Sequence, residues 1–340
     1  KLRGDDLADR SAGERERRGM DTLTVPDLAR ATTTFDRAVD ATRGIDRICS
    51  SSDWVVPSYL SWGRDADPLI LRSDDGWATL CERRDVDGVR YLCPPEAAWG
   101  FGSPILTDDA ATFGRQLLRA LEKVPGWRVT LLTGLVPDSP LENEMRRIIG
   151  ERHRLRNGPV MTRCRARLDD GAKALLERKP AKWQRDLRRA HRRAKDHGFE
   201  VVTAAGDLAA SFERVMDVER RSWKGRSGSG LIEPDLRRFY WKLSQRVGPL
   251  GRLRLLFARA DNRDVGYILG HVRHTTYRGL QLSYDNAYRA LSVGTLLQAF
   301  QIEQLADEGI RIYDLGMEMA YKRRWTDETL DTRTTVIIRR

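Results

Sequence analysis

Ser283-Tyr-Asp-Asn-Ala-Tyr-Arg-Ala-Leu-Ser-Val-Gly-Thr-Leu-Leu297 is followed by Ile312-Tyr-Asp-Leu-Gly316 and Tyr321-Lys-Arg-Arg-Trp325. In order, these read as a strand, a short glycine-bearing loop, a helix, a second strand and a polar aromatic segment. A strand that feeds the start of a helix leaves backbone N–H groups without intrahelical partners. Those groups and the helix dipole attract an anion, above all a phosphate. The residues in question are Ser292, Val293, Gly294, Thr295 and Leu296, reached from the strand end Leu282-Ser283-Tyr284 and from Arg289. The structural reading of the same residues is an ordinary strand-to-helix turn capped by Ser292 or Thr295.

Outward from this stretch, residues 199–340 read as one α/β unit. Phe199 opens a strand, and Asp207 is the N-cap of a helix running to about Ser222. Pro234 stands in the first turn of a second helix. Leu253–Ala258 and Val265–Val272 form a hairpin around Asp261-Asn-Arg-Asp264, and Tyr277–Tyr284 is a third strand. Thr295–Glu308 is a helix ended by Gly309, with strands at 311–315 and 332–338 after it.

Upstream, residues 21–168 repeat helix, hairpin, strand, helix, strand in the same order, which reads as a weak internal duplication. Trp54-Val-Val-Pro-Ser-Tyr-Leu60 reads as an entry loop or short strand, and Trp99-Gly-Phe-Gly-Ser-Pro104 as a glycine-rich loop. Between the halves, residues 169–198 form a basic bridging helix, closed by Gly198. Its apolar stripe is narrow: Trp183, Leu187, Ala190 and Ala194. Around it stand seven cations, Lys182, Arg185, Arg188, Arg189, Arg192, Arg193 and Lys195, against Asp186 and Asp196. A charge run on such a helix reads either as a solvated face or as a phosphate-contacting surface for RNA.

The chain has 340 residues, enough for two domains, and a formal net charge of +11. That surplus points to a polyanionic partner or simply to Arg-rich composition. Cys49, Cys81, Cys93 and Cys164 form no CxxC pair, and the five histidines form no ligand pattern. Reduced thiols of a cytoplasmic protein without a metal are expected. No apolar run reaches the roughly 18 residues of a membrane helix. Residues 1–20 read as a flexible N-terminal extension.

Five segments carry a family resemblance: Lys182-Trp-Gln-Arg-Asp-Leu-Arg-Arg189, Glu219-Arg-Arg-Ser-Trp-Lys-Gly225, Ser292–Leu297, Tyr313-Asp-Leu-Gly316 and Tyr321–Trp325. The C-terminal half, over about residues 180–330, resembles the GNAT acyltransferase fold, in its Fem-like and BioF2-like acetyltransferase group. The N-terminal half is similar to the degenerate first domain of two-domain members. The resemblance implies a tandem α/β architecture with mixed sheets. It also implies an acyl donor in a V-shaped opening between the strands at 277–284 and 311–315, and direct attack by an amine. CoA-binding members carry a Gln/Arg-x-x-Gly-x-Gly/Ala loop, of which Arg289 and Gly294 are kept. Fem-like members take the acyl group from aminoacyl-tRNA instead.

The function expected is N-acyl transfer from acetyl-CoA or another acyl-CoA to an amine of a small molecule or cell-envelope acceptor, bound in the cleft between the halves. The alternatives are aminoacyl-tRNA-dependent amide formation, with tRNA on the 182–195 helix, and a non-catalytic RNA-binding module. Glu219 falls on the apolar stripe of its helix, where burial raises a carboxyl pKa and suits a base; its structural reading is an ion pair. Asp285 and Asp314 end strands at one sheet edge, where they orient an amine, act as base or cap a loop. Tyr321 is placed to protonate a leaving group and Lys322 to meet a phosphate. Trp223 and Lys224 open a Gly/Ser segment, 223–230, suited to a mobile lid or a plain connector.

Overall fold

The structure, a computed structural model, describes residues 19–340; of the expected N-terminal extension, residues 1–18 lie outside them. Met20 is half-buried against the core rather than free, and a strand starts at Asp21.

In chain order the elements are β1 (Asp21–Leu23), α1 (Val25–Arg30), α2 (Thr32–Ala41), α3 (Ser52–Ser61), β2 (Asp67–Ser73), β3 (Gly76–Arg84), β4 (Arg90–Cys93), β5 (Ile105–Leu106), α4 (Ala110–Lys123), β6 (Val129–Leu135), α5 (Pro140–Gly150) and β7 (Arg154–Arg167). They continue with α6 (Gly171–Glu177), α7 (Ala181–Asp196), β8 (Glu200–Thr203), α8 (Leu208–Arg221), α9 (Trp223–Arg226), α10 (Pro234–Val247), β9 (Leu253–Ala260), β10 (Arg263–Arg273), β11 (Thr276–Tyr284), α11 (Val293–Asp307), β12 (Ile312–Met317) and β13 (Glu328–Ile338). Two compact units result: residues 19–161 with 331–340, and residues 162–330.

In the first unit β4 and β6 pair in parallel, Tyr91↔Val129 and Leu92↔Thr130, with α4 as the crossover. The second unit repeats this with β11, α11 and β12, the repeat expected from sequence. In the first unit loop 99–104 fills the space beside β6. There Phe101 is buried, and Thr133 Oγ1 donates to Gly102 O at 2.7 Å. This loop is therefore core, and Trp99 packs between Trp54 and Trp62. Trp54–Leu60 is helix rather than loop or strand. Its residues are buried on nearly every side, so no 3.6-residue period marks it, and Pro57 adds a helix-breaking signal. Residues 331–340, grouped by sequence with the C-terminal half, belong to the first unit, since β13 pairs with β6 from Arg333↔Leu135 to Ile338↔Val129.

The second unit orders its strands β12-β11-β10-β9-β8, with the end of β7 on the far side of β12. The caps predicted from sequence form here. Asp207 accepts from Ala210 N–H at 2.9 Å, and Asp261 and Asn262 take left-handed φ in the β9–β10 turn. Residues 169–198 are not a separate bridge: Leu175 and Leu187 pack with Ala299 and Ile302 of α11, and Ala190 and Ala194 with Leu296. Gly266 lets α11 approach β10, since a Cβ there would stand 2.6 Å from Val293 Cγ1.

Candidate acyl-transfer site

β11 and β12 pair in parallel at three positions, Thr276↔Ile312, Tyr277↔Tyr313 and Arg278↔Asp314, and then part. From Gly279 onward the edge of β11 that faced β12 is open. β11 leads through a 3₁₀ turn, Asn286–Leu291, into α11. The helix starts at Val293, two residues earlier than the sequence suggests, because Ser292 takes φ +59° and turns the chain into it. A serine in the left-handed region costs about 1 kcal/mol or more and needs its surroundings to hold it.

Arg289 and Gly294 stand five apart, as in the Arg-x-x-Gly-x-Gly loop, with Ser292 in the first glycine's place. Thr295 and Leu296 N–H donate to Ser292 O at 2.9 and 3.1 Å. That leaves the N–H groups of Val293 and Gly294 as the exit of the helix dipole. The side chains of Val293 and Leu296 are buried in the core, so only their backbone is at hand for a ligand. Gly294 also packs tightly, a Cβ there lying 3.1 Å from Leu282 Cδ2. Arg289 is exposed beside the turn and Thr295 half-buried.

Three of the predicted carboxylates are engaged. Glu219 is fully buried; one oxygen accepts from Leu231 N–H and the other from Tyr267 Oη, both at 3.0 Å. Burial and the Glu219 charge push the Tyr267 phenol up, so it stays protonated and donates. Ser283, buried on β11, lies beside this same phenol. Asp285 caps the 3₁₀ turn through Ala287 N–H at 3.0 Å and pairs with Arg221 (2.8 Å) and Arg263 (3.1 Å). Asp314 meets Arg278 at 2.6 Å, Arg163 at 3.5 Å and Gly316 N–H at 2.8 Å. Burial works against its charge, but the two guanidiniums and that N–H hold its carboxyl below the usual range.

The opening itself receives two lysines. Lys224 Nζ donates to Leu282 O and to Gln281 Oε1, both at 2.9 Å, and burial lowers its pKa. Lys322 Nζ donates to Met317 O at 2.9 Å from the β12 side. Burial first, then the Arg278 charge, bring Lys322 down to about 8 against the pull of Asp314. Tyr321 is 44% exposed, yet burial of its hydroxyl end pushes the phenol up to about 12. Trp223 is 55% exposed at the start of α9. The segment after it is tied down at two points, Gly225 N–H donating to Ser222 Oγ at 3.1 Å and Leu231 N–H to Glu219 Oε1 at 3.0 Å. No local signal in the sequence shows that both lysines reach one opening.

A groove of about 900 Å³ in the same unit is lined by Arg178, Lys179, Trp183, Arg324 and Asp327, among others. It adjoins the start of α7. All seven α7 cations are exposed, and none forms an ion pair among the described residues. Among the described residues no group of three His, Cys, Asp or Glu side chains is arranged to hold a metal, and no helix is long and apolar enough to cross a membrane. All four cysteines are buried and none is in a disulfide.

Residues 181–323 match the family described as acetyltransferase (GNAT) domain. No curated protein matches the sequence. Among solved structures, that of FemX aligns with a TM-score of 0.64 at 11% identity, covering 93% of this chain and 97% of that one. A conserved protein of unknown function from Bacteroides thetaiotaomicron VPI-5482 aligns at 0.59 and 12% identity, covering 94% and 99%. The C-terminal domain of a putative lysylphosphatidylglycerol synthetase from Agrobacterium fabrum aligns at 0.54 and 13% identity, covering 88% and 91%. At these identities the likeness is one of fold.

Proposed function

We propose, on the premise that residues 181–323 are a GNAT acyltransferase domain, that the protein is an N-acyltransferase acting with acetyl-CoA or another acyl-CoA. One observation carries this reading: the β11–β12 pair opens after Arg278↔Asp314, and the freed strand runs into the N-terminus of α11. The donor's phosphates would meet the N–H groups of Val293 and Gly294 with Arg289 beside them, while its acyl carbonyl would lie in the opening.

A neutral amine attacks that carbonyl. The C–N bond forms, the oxyanion is received by N–H groups on the open edge of β11, and the C–S bond then breaks. The amine's proton goes to neutral Lys322. Tyr321, protonated at neutral pH, gives its proton to the departing thiolate. Asp285 and Glu219 are positioning residues in this scheme, since their oxygens are already engaged. Trp223 offers an apolar face to the acceptor, and Asp314 fixes Arg278 beside Lys322.

The test is product formation. Purified protein is incubated with an amine library and either acyl-CoA or aminoacyl-tRNA, and amides are detected by mass spectrometry. Acyl-CoA-dependent amide with release of free CoA is expected. No amide from either donor, with RNA still bound, would leave only a binding module.

A second reading, aminoacyl transfer from tRNA, is favoured by α7. Its outer face carries five arginines and two lysines that form no ion pair among the described residues, and such cations release counterions when they neutralise phosphates. On this reading, Arg185→Ala, Arg189→Ala and Arg192→Ala combined should flatten the slope of log affinity for tRNA against log salt by about 2–3, at about 0.7–0.9 for each phosphate no longer neutralised. A filter-binding titration over a salt series measures it, and an unchanged slope removes α7 from RNA contact.

A further inference from the structure

The open edge of β11 is not free for a donor. Asp285 N–H donates to Val265 O, which orients that residue towards β10. By the two-residue alternation of a strand, Ser283 and Gln281 face β10 as well, and Leu282 faces the opposite, open edge. Leu282 O is the atom that Lys224 Nζ takes at 2.9 Å. Leu280 O, two residues back and on the same edge, takes Tyr240 Oη at 3.4 Å. Both carbonyls are thus occupied by the protein's own side chains.

An extended donor arm bearing amides adds to an open strand edge as another strand would, through N–H groups on these carbonyls. The arm of CoA has two such amides. With Lys224 in place, its ammonium stands where an arm amide must bind. Lys224 is anchored twice, by Leu282 O and by Gln281 Oε1, so it does not leave without loss.

We infer that Lys224 is a specificity-determining residue: its ammonium takes the place of a donor-arm amide on Leu282 O and must be displaced before an arm-bearing donor can lie along β11. The inference rests on the reading that the donor follows β11 into α11. Displacement frees the ammonium to meet the acyl carbonyl or a donor phosphate, and a donor that cannot displace it is refused. Short acyl donors without an arm are indifferent to it.

The experiment compares wild type, Lys224→Met and Gln281→Ala by calorimetric titration with CoA and with adenosine 3′,5′-diphosphate, which has the nucleotide but no arm. Lys224→Met should bind CoA tenfold or more tightly than wild type. Gln281→Ala, which removes one anchor, should show a smaller gain in the same direction. Affinity for the nucleotide alone should stay within twofold in all three. Unchanged or weaker CoA binding by both variants, with the nucleotide still bound, overturns the role of Lys224 while sparing the donor site. Binding of neither CoA nor the nucleotide by any of the three proteins overturns the donor-site reading too. Thermal melts keep the comparison sound: should Lys224→Met fail to fold, Gln281→Ala decides by itself.

Discussion

Lys322→Met should lower kcat by about two to four orders of magnitude, the range a positioned general base supplies, with donor binding nearly intact. Elimination within the opening leads to this residue. Glu219 has both oxygens occupied and no exposure, Asp285 is held by Arg221 and Arg263, Asp314 is held by Arg278 and Arg163, and Lys224 is anchored twice, by Leu282 O and Gln281 Oε1. Lys322 alone among the predicted site residues combines a place at the opening with a pKa near 8. Since a base must be neutral to accept a proton, kcat/KM of the wild type should rise with pH and level off above about 8. The variant should lack that limb. Stability gives a second reading of the same group. Its folded pKa lies below the free lysine value, so between about 8 and 10.5 the unfolded chain binds more protons. Wild-type stability therefore gains with pH across that window. Below it both states are protonated and the burial penalty is fully present. Any thermal advantage of Lys322→Met should be largest near pH 7 and shrink towards pH 10. A variant within threefold of wild type at all pH values removes Lys322 from proton transfer.

The strand, loop, helix and strand of residues 276–317 could be read from sequence because each carries its own local signal: β-branched and aromatic runs, a glycine near the helix start, a glycine at its end. The capped helices α8 and α10 were legible for the same reason. α3 was not, since a helix buried all round shows no amphipathic period. The start of α11 was misplaced because nothing local announces a serine at φ +59°. At the site, the position of Glu219 on an apolar stripe was legible, but its role was not. Tyr267 lies 48 residues away and Leu231 12, and only the packed unit brings them to the two oxygens. The same holds for Lys224 and Lys322. They are nearly a hundred residues apart, and their meeting at one opening follows from α9 turning back over β11 and from the turn after β12.

Glu219→Ala should be the most damaging single change in this site to stability, while Glu219→Gln should be mild. The alanine variant leaves the buried Leu231 N–H without its acceptor and Tyr267 Oη with only Ser283 to turn to. The stranded N–H costs about 1–3 kcal/mol, and the cavity left by the lost side chain adds about 2 kcal/mol or more. A fall in Tm of roughly 10 °C follows if that loss is borne by a unit of this size. Glutamine keeps one oxygen for Leu231 N–H. Its amide N–H can donate to Tyr267 Oη, whose own proton turns to Ser283. The geometry survives at a cost of about 1 kcal/mol. A base reading predicts the reverse pattern in activity: Glu219→Gln would then fold well and turn over hardly at all. Thermal melts together with kcat for the two variants separate the cases. Limited proteolysis adds a local readout, because cleavage within 223–232 should appear in Glu219→Ala and not in Glu219→Gln if the carboxylate braces that segment. A stable Glu219→Ala with an uncut segment would show that Leu231 and Tyr267 find other partners, and the brace would then fail.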